Sequence, residues 1–225
     1  MSGRTMDFGH LLRELHGQDG VEATVEMIAE LARRELEADY AGVMLLHRGG
    51  TVETAAATDP VVERADTEQI AVGEGPCLEA IAKEAVFVIG DTVTEPRWSP
   101  WCERVAALGI RSVLSVRLFT ARGPLGCLNL YSGRPHRFSH DGDAAYGTLF
   151  AGHASVALAT EKTKSELRDA MDGRHVIGIA QGILMERFTI DKDQAFSVLR
   201  RYSQDHNMKL RAVATTVATT GQLPD

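Results

Sequence analysis

Arg174-His175-Val176-Ile177-Gly178-Ile179-Ala180-Gln181-Gly182-Ile183-Leu184-Met185-Glu186-Arg187 lies inside a stretch, Leu167 to Leu223, that reads as three consecutive amphipathic helices. Apolar residues recur through it at helical spacing. Asp191 stands three residues before Gln194, the spacing of a capping box, so a second helix is expected to begin there and to place Ala195, Phe196, Leu199 and Tyr202 on one face. Asn207 is placed to cap a third helix, in which Leu210, Val213, Ala214 and Val217 follow the i, i+3, i+4, i+7 pattern, and Gly221 is a suitable stop. Three helices of this length enclose one small core, and Met185 and Phe196 are assigned to it. Gly178 and Gly182, four residues apart beside Ala180, are expected to let another helix approach the backbone closely. Gln181 and the short apolar length exclude the membrane form of that spacing.

Upstream, no proline interrupts Ala144 to Arg187, and Ser139-His140-Asp141-Gly142-Asp143 offers caps for one long helix. Leu149, Val156, Thr163, Ala170, Ile177 and Leu184 recur every seven residues, a seam for two parallel chains, with Thr160 and Arg174 among the partner positions. A helix packed on its own domain and running on into the tail is the equal alternative.

The first part of the chain reads differently. Val21 to Leu36 carries a helical apolar period. Tyr40 to His47 and Thr51 to Thr58 flank Arg48-Gly49-Gly50 as two strands of a hairpin. Val86 to Ile89, Ser112 to Phe119 and Leu125 to Tyr131 add three strands, and helices are expected at Pro76 to Lys83 and Trp98 to Ala107. Hairpin strands between helices indicate an antiparallel sheet covered on one face, an α+β domain.

Composition fits a soluble globular protein: 44% hydrophobic and 24% charged in 225 residues. No apolar run is long enough to span a bilayer, and Met1 to Asp7 lacks the apolar core of a secretory signal, so a cytoplasmic protein with no membrane partner is expected. Cys77, Cys102 and Cys127 form no CxxC pair, which suits free thiols in a reducing compartment. The formal net charge of -7 is unevenly divided. Residues 1–160 hold 14 Lys+Arg against 22 Asp+Glu, whereas residues 161–225 hold 10 against 9, net +1. The tail therefore permits nucleic-acid binding without demanding it, and shape and specific contacts must do the recognising.

The tail string, followed by Gln194-Ala195-Phe196, by Leu199-Arg200-Arg201-Tyr202-Ser203-Gln204 and by Asn207-Met208-Lys209-Leu210-Arg211-Ala212-Val213-Ala214, resembles the ANTAR module, an RNA-binding unit of bacterial transcription antitermination regulators. The element order upstream, with Val72-Gly73-Glu74-Gly75-Pro76-Cys77 and Gly126-Cys127-Leu128-Asn129-Leu130-Tyr131, is similar to the GAF family of ligand-sensing and dimerising domains. Together they imply an N-terminal extension over 1-20, a GAF-like sensor over 21-160, and an ANTAR-like three-helix all-α domain over 161-225, joined by a long connecting helix.

The resemblance further implies a homodimeric regulator that grips two adjacent hexanucleotide-loop stem-loops in nascent RNA and so prevents transcription termination. Arg174, Arg187, Arg200, Arg201, Lys209 and Arg211 are the candidate phosphate contacts, and Gln181, Ser203 and Asn207 the candidate hydrogen-bonding groups. The family most often carries Lys in an Ala-Lys-Gly triplet where this chain has Ala180-Gln181-Gly182.

The sensor's small-molecule ligand is not selected by any residue pattern, and no cofactor is expected. Cys77, behind a proline at a helix start, is a candidate redox-sensing thiol, with a buried packing residue the favoured alternative. His136, His140, Asp141 and Asp143 fit helix capping better than a metal site. No Ser/His/Asp or Cys/His pairing stands in a recognisable context, so an enzyme is not expected. The alternative to the RNA-binding regulator is a protein-protein interaction module, or a ligand-binding signalling protein without direct RNA binding.

Overall fold

The structure, a computed structural model, describes residues 8–83, 86–138 and 141–224. Ser139 and His140, expected among the caps, lie outside them. The chain divides into two compact units, Met1–Lys162 and Thr163–Asp225.

In the first unit, α1 (Phe8–His16) and α2 (Val21–Glu35) precede β1 (Tyr40–Leu46) and β2 (Val52–Ala57). Then come α3 (Pro60–Val72), α4 (Pro76–Lys83), β3 (Val86–Ile89), α5 (Ser99–Ala107), β4 (Ser112–Thr120) and β5 (Gly123–Ser132). The five strands form one sheet in the order β2-β1-β5-β4-β3, every neighbouring pair antiparallel. Gly49 and Gly50 both have positive φ, the backbone form that the β1–β2 turn needs and other residues adopt at a cost.

Strand alternation sends Ala41, Val43 and Leu45 of β1, Leu114, Val116 and Leu118 of β4, and Leu128 and Leu130 of β5 to one face. There they meet Val25, Ile28 and Leu31 of α2, together with Leu11 and Leu15 of α1. The opposite face is covered too, contrary to the expectation of a single covered face. Met44 and Cys127 pack on Cys77 and Ala80 of α4, and Val113 and Tyr131 belong to a cluster with Trp101 and Val105 of α5 and Val62 and Ala65 of α3.

The helices α1 and α3 were not announced by the periodicity, and α3 shows why. Its buried side chains are Val62, Ala65, Asp66 and Gln69, so two of the four inward positions are polar and the apolar stripe is broken. It is well delimited all the same. The Asp59 carboxylate accepts from the Val61 N–H at 2.9 Å, Pro60 starts the first turn, and Gly73 closes the helix in the left-handed conformation. Gly75 is also required: at φ 146 it passes so close to Gln69 that any Cβ would collide with that side chain.

One uninterrupted helix, α6 (Asp141–Phe188), runs for 48 residues. Its Phe150, Ala151, Ala154, Ala157 and Leu158 join the core of the first unit, and the Phe119 N–H donates to Ser155 Oγ at 2.9 Å. Of the heptad series, Leu149, Val156, Thr163 and Ala170 are exposed, whereas Ile177 and Leu184 pack within the second unit. Leu167 and Met171 add two more exposed apolar side chains, at 60% and 70% exposure.

In the second unit the end of α6 packs with α7 (Lys192–Asp205) and α8 (Leu210–Thr220) around Ala180, Leu184, Ala195, Leu199, Val213, Ala214 and Val217. The capping box forms: Gln194 N–H donates to Asp191 Oδ1 at 2.8 Å, and Asp191 N–H to Gln194 Oε1 at 3.1 Å. Gly221 ends α8 in the left-handed form.

Three expectations are corrected here. The N-cap position of α8 is held by Lys209, which makes no side-chain capping bond, and Asn207 instead takes a left-handed turn conformation at φ 51. Met185 and Phe196 are exposed, because a core built on three alanines draws the helices close and leaves no room for these larger side chains. Gly178 and Gly182 are exposed, with nothing described near the place of a Cβ, so they do not mediate a close approach among the described residues.

Candidate functional site

The nine residues put forward for RNA divide into two groups on the second unit. Arg174, Arg200 and Lys209 are exposed, and their side chains make no ion pair or hydrogen bond with the described residues. Arg201 is exposed as well and lies 3.6 Å from Asp205, one turn along α7. Such a surface pair is worth little and yields readily to a phosphate.

The other five are engaged in the fold. Gln181 is only 9% exposed, and its Nε2 donates to the Lys192 carbonyl at 3.0 Å, fixing the start of α7 against α6. Arg187 Nη1 donates to the Gly221 carbonyl at 2.6 Å, at the end of α8. Arg211 Nη1 lies 3.4 Å from both the carbonyl and the carboxylate of Asp169. Ser203 Oγ donates to the Met208 carbonyl at 2.6 Å, and the Asn207 N–H to the Gln204 carbonyl, so both shape the α7–α8 turn.

Sequence reasoning missed the aromatic content of this surface. Phe196 lies one turn before Arg200 on the outside of α7. Tyr202 stacks on His206 with ring centroids 3.9 Å apart, and its hydroxyl donates to the Pro224 carbonyl. A one-dimensional pattern gave no signal for Phe196, since Ala195 and Phe196 are adjacent and either fits an apolar stripe.

The interior of the first unit holds a polar constellation on the face covered by α3 and α4. Asp66 is fully buried; it accepts from Tyr131 Oη at 2.8 Å, Thr54 Oγ1 at 2.9 Å and Asn129 Nδ2 at 3.4 Å. Burial pushes its carboxyl up to about 6, against the opposing pull of those three donors. Burial likewise raises Tyr131 well above its ordinary value, and the Asp66 charge adds to it.

Cys77 is fully buried and its thiol lies 3.3 Å from Met44 Sδ. Cys127 beside it is held well above the usual thiol range, by burial first and then by Cys77. Cys102 is pushed up to about 12 by burial and by the Glu95 charge. These surroundings disfavour the thiolate at Cys102 and Cys127, the form in which cysteine reacts. Asp143 is engaged with Arg137 at 3.4 Å.

A GAF domain model matches residues 18–159, more than half of the chain. The chain belongs to the GAF domain family. An ANTAR domain model matches residues 165–217, so the second unit is an ANTAR domain. The fold is similar to that of the GAF domain from an Acinetobacter phosphoenolpyruvate-protein phosphotransferase, with 12% identity over 70% of this chain and 94% of that one, TM-score 0.54. It is likewise similar to a free methionine-R-sulfoxide reductase from Neisseria meningitidis in complex with its substrate, with 19% identity over 69% and 88%, TM-score 0.54. Bacteriophytochrome RpBphP3 from R. palustris matches with 13% identity over 85% and 45%, TM-score 0.57. At these identities the likeness concerns the fold. No curated protein matches the chain.

Among the described residues no helix is long and apolar enough to cross a membrane. Shallow depressions of about 270 and 250 Å³ lie on the GAF domain, the first beside Glu26 and Ala56, the second beside Glu95, Ser99 and Cys102. Neither reaches the roughly 300 Å³ at which pockets begin to enclose a drug-sized ligand.

Proposed function

We propose that this GAF-ANTAR protein is a cytoplasmic, signal-responsive regulator whose ANTAR domain binds tandem stem-loops in nascent RNA and prevents transcription termination. The observation that carries the reading is the match of an ANTAR model to a folded three-helix unit whose surface bears Arg174, Arg200 and Lys209, each without an acidic partner among the described residues. Unpaired cations release counterions on meeting phosphate without first breaking an internal bond. Gln181, Ser203 and Asn207 hold the start of α7 and the α7–α8 turn, and Arg187 and Arg211 tie α8 to α6, so these five hold together the unit that presents those cations.

Two hairpins call for two ANTAR domains, and a homodimer supplies them. Leu149, Val156, Leu167 and Met171, exposed along α6, are apolar side chains that a second copy of the helix covers. Joining two weak hairpin contacts in one dimer raises effective affinity by ~10² or more where both engage. The GAF domain receives a small molecule, and capture biases the register of the paired helices between two states that it must bind unequally. The protein acts as a regulator, with no catalytic step assigned to it.

The test is the affinity for a transcript with two stem-loops, at fixed salt, of the wild type and of Arg200→Glu with Lys209→Glu. The double reversal is expected to weaken binding at least tenfold. Equal binding contradicts the surface, and a co-purifying protein in place of RNA favours an interaction module.

A further inference from the structure

We propose that Phe196 and Arg200 act as one recognition pair on α7, the Phe196 ring as a stacking platform for an unpaired loop base and Arg200 as the contact for the phosphate beside it. The inference rests on the RNA-binding reading above and names the chemistry recognised: a nucleotide with its base face free. Helical spacing predicts Phe196 in the core, yet the structure leaves it 38% exposed while its neighbours Ala195 and Leu199 are buried. Among the described residues no ring or guanidinium stacks on it.

Single exposed apolar residues are common on protein surfaces, so exposure alone decides nothing. The juxtaposition decides. Residues four apart share a helix face, and the one four beyond Phe196 is Arg200, exposed and with no side-chain partner among the described residues, although Arg201 beside it is paired with Asp205. A flat apolar face next to an unneutralised planar cation matches the two ends of one nucleotide, base and phosphate.

The polarity is set too. Asp193, three residues before Phe196, places a negative charge toward the other end of that face, so the phosphate lies on the Arg200 side. A paired stem cannot use this platform, because its bases are stacked within the A-form helix. Loop nucleotides, which splay their bases out, can.

The test uses the full chain and an RNA pool carrying two stem-loops with randomised six-nucleotide loops. Phe196→Leu keeps the apolar bulk but loses the ring, and it is expected to weaken binding about 5- to 100-fold, the range of one lost base stack. Phe196→Trp is expected to bind within about threefold of wild type, with its indole emission quenched on adding RNA. Abasic loops should weaken wild type but add nothing to Phe196→Leu. If Phe196→Leu binds as wild type does while Arg200→Glu loses affinity, the RNA-binding reading stands and the stacking pair is overturned. Absence of binding by the wild type overturns both.

Discussion

Asp66 is a carboxyl shut away from water among Tyr131, Thr54 and Asn129, and its titration is open to measurement. Its folded value of about 6 lies above the ordinary 3.8. The stabilisation it contributes is therefore complete below about pH 4 and is lost as the pH rises through about 6. Asp66→Asn removes that dependence: between pH 4 and 7.5 the wild type should lose on the order of 2–3 kcal/mol relative to the variant. Denaturant unfolding at both pH values checks it, and parallel profiles would contradict it. Gln181 gives a second prediction at this scale. Because its amide donates to the Lys192 carbonyl, Gln181→Leu should cost about 1 kcal/mol of stability. Gln181→Lys keeps a donor there and should hold RNA affinity near that of wild type. The residue type at 181 was legible in the sequence, but its partner was not, because the bond joins side chains and backbone of different helices.

The capping box shows how much of an element a few residues disclose. Asp191 and Gln194 announce the start of α7 through their spacing alone, since both hydrogen bonds close within four residues. Asp191→Ala should destabilise the ANTAR domain by about 1 kcal/mol, seen as faster amide exchange in the first turn of α7. Unchanged exchange there would count against the cap. The strands and α2 were legible for the same reason, as each carries its period locally. The helix α3 was hidden because Asp66 and Gln69 occupy inward positions and find their partners on β2, β5 and the α4 start, outside the helix whose period they break. The third-helix cap was misplaced for a related reason. Asn207 suits both an N-cap and a left-handed turn, and the Ser203–Met208 bond selects the turn.

For the whole molecule, both domains were legible from motif and element order, while the surface proposed to meet RNA was not. Exposure depends on how closely helices pack, and the small residues Ala180, Ala195 and Ala214 set that distance and leave Phe196 and Met185 outside. The proposed self-association belongs to this scale, and it makes a separate prediction. Wild type should sediment as a dimer, and Leu167→Glu with Met171→Glu should sediment as a monomer. That variant should keep its affinity for a single stem-loop and lose the gain from a second one, ~10²-fold or more. A dimeric variant would remove α6 from the account. The most direct test of the central claim is to crosslink the protein to RNA in its own cell and sequence what is bound. Recurrent paired hairpins upstream of genes are the predicted result, and RNA without a shared hairpin element would contradict the account.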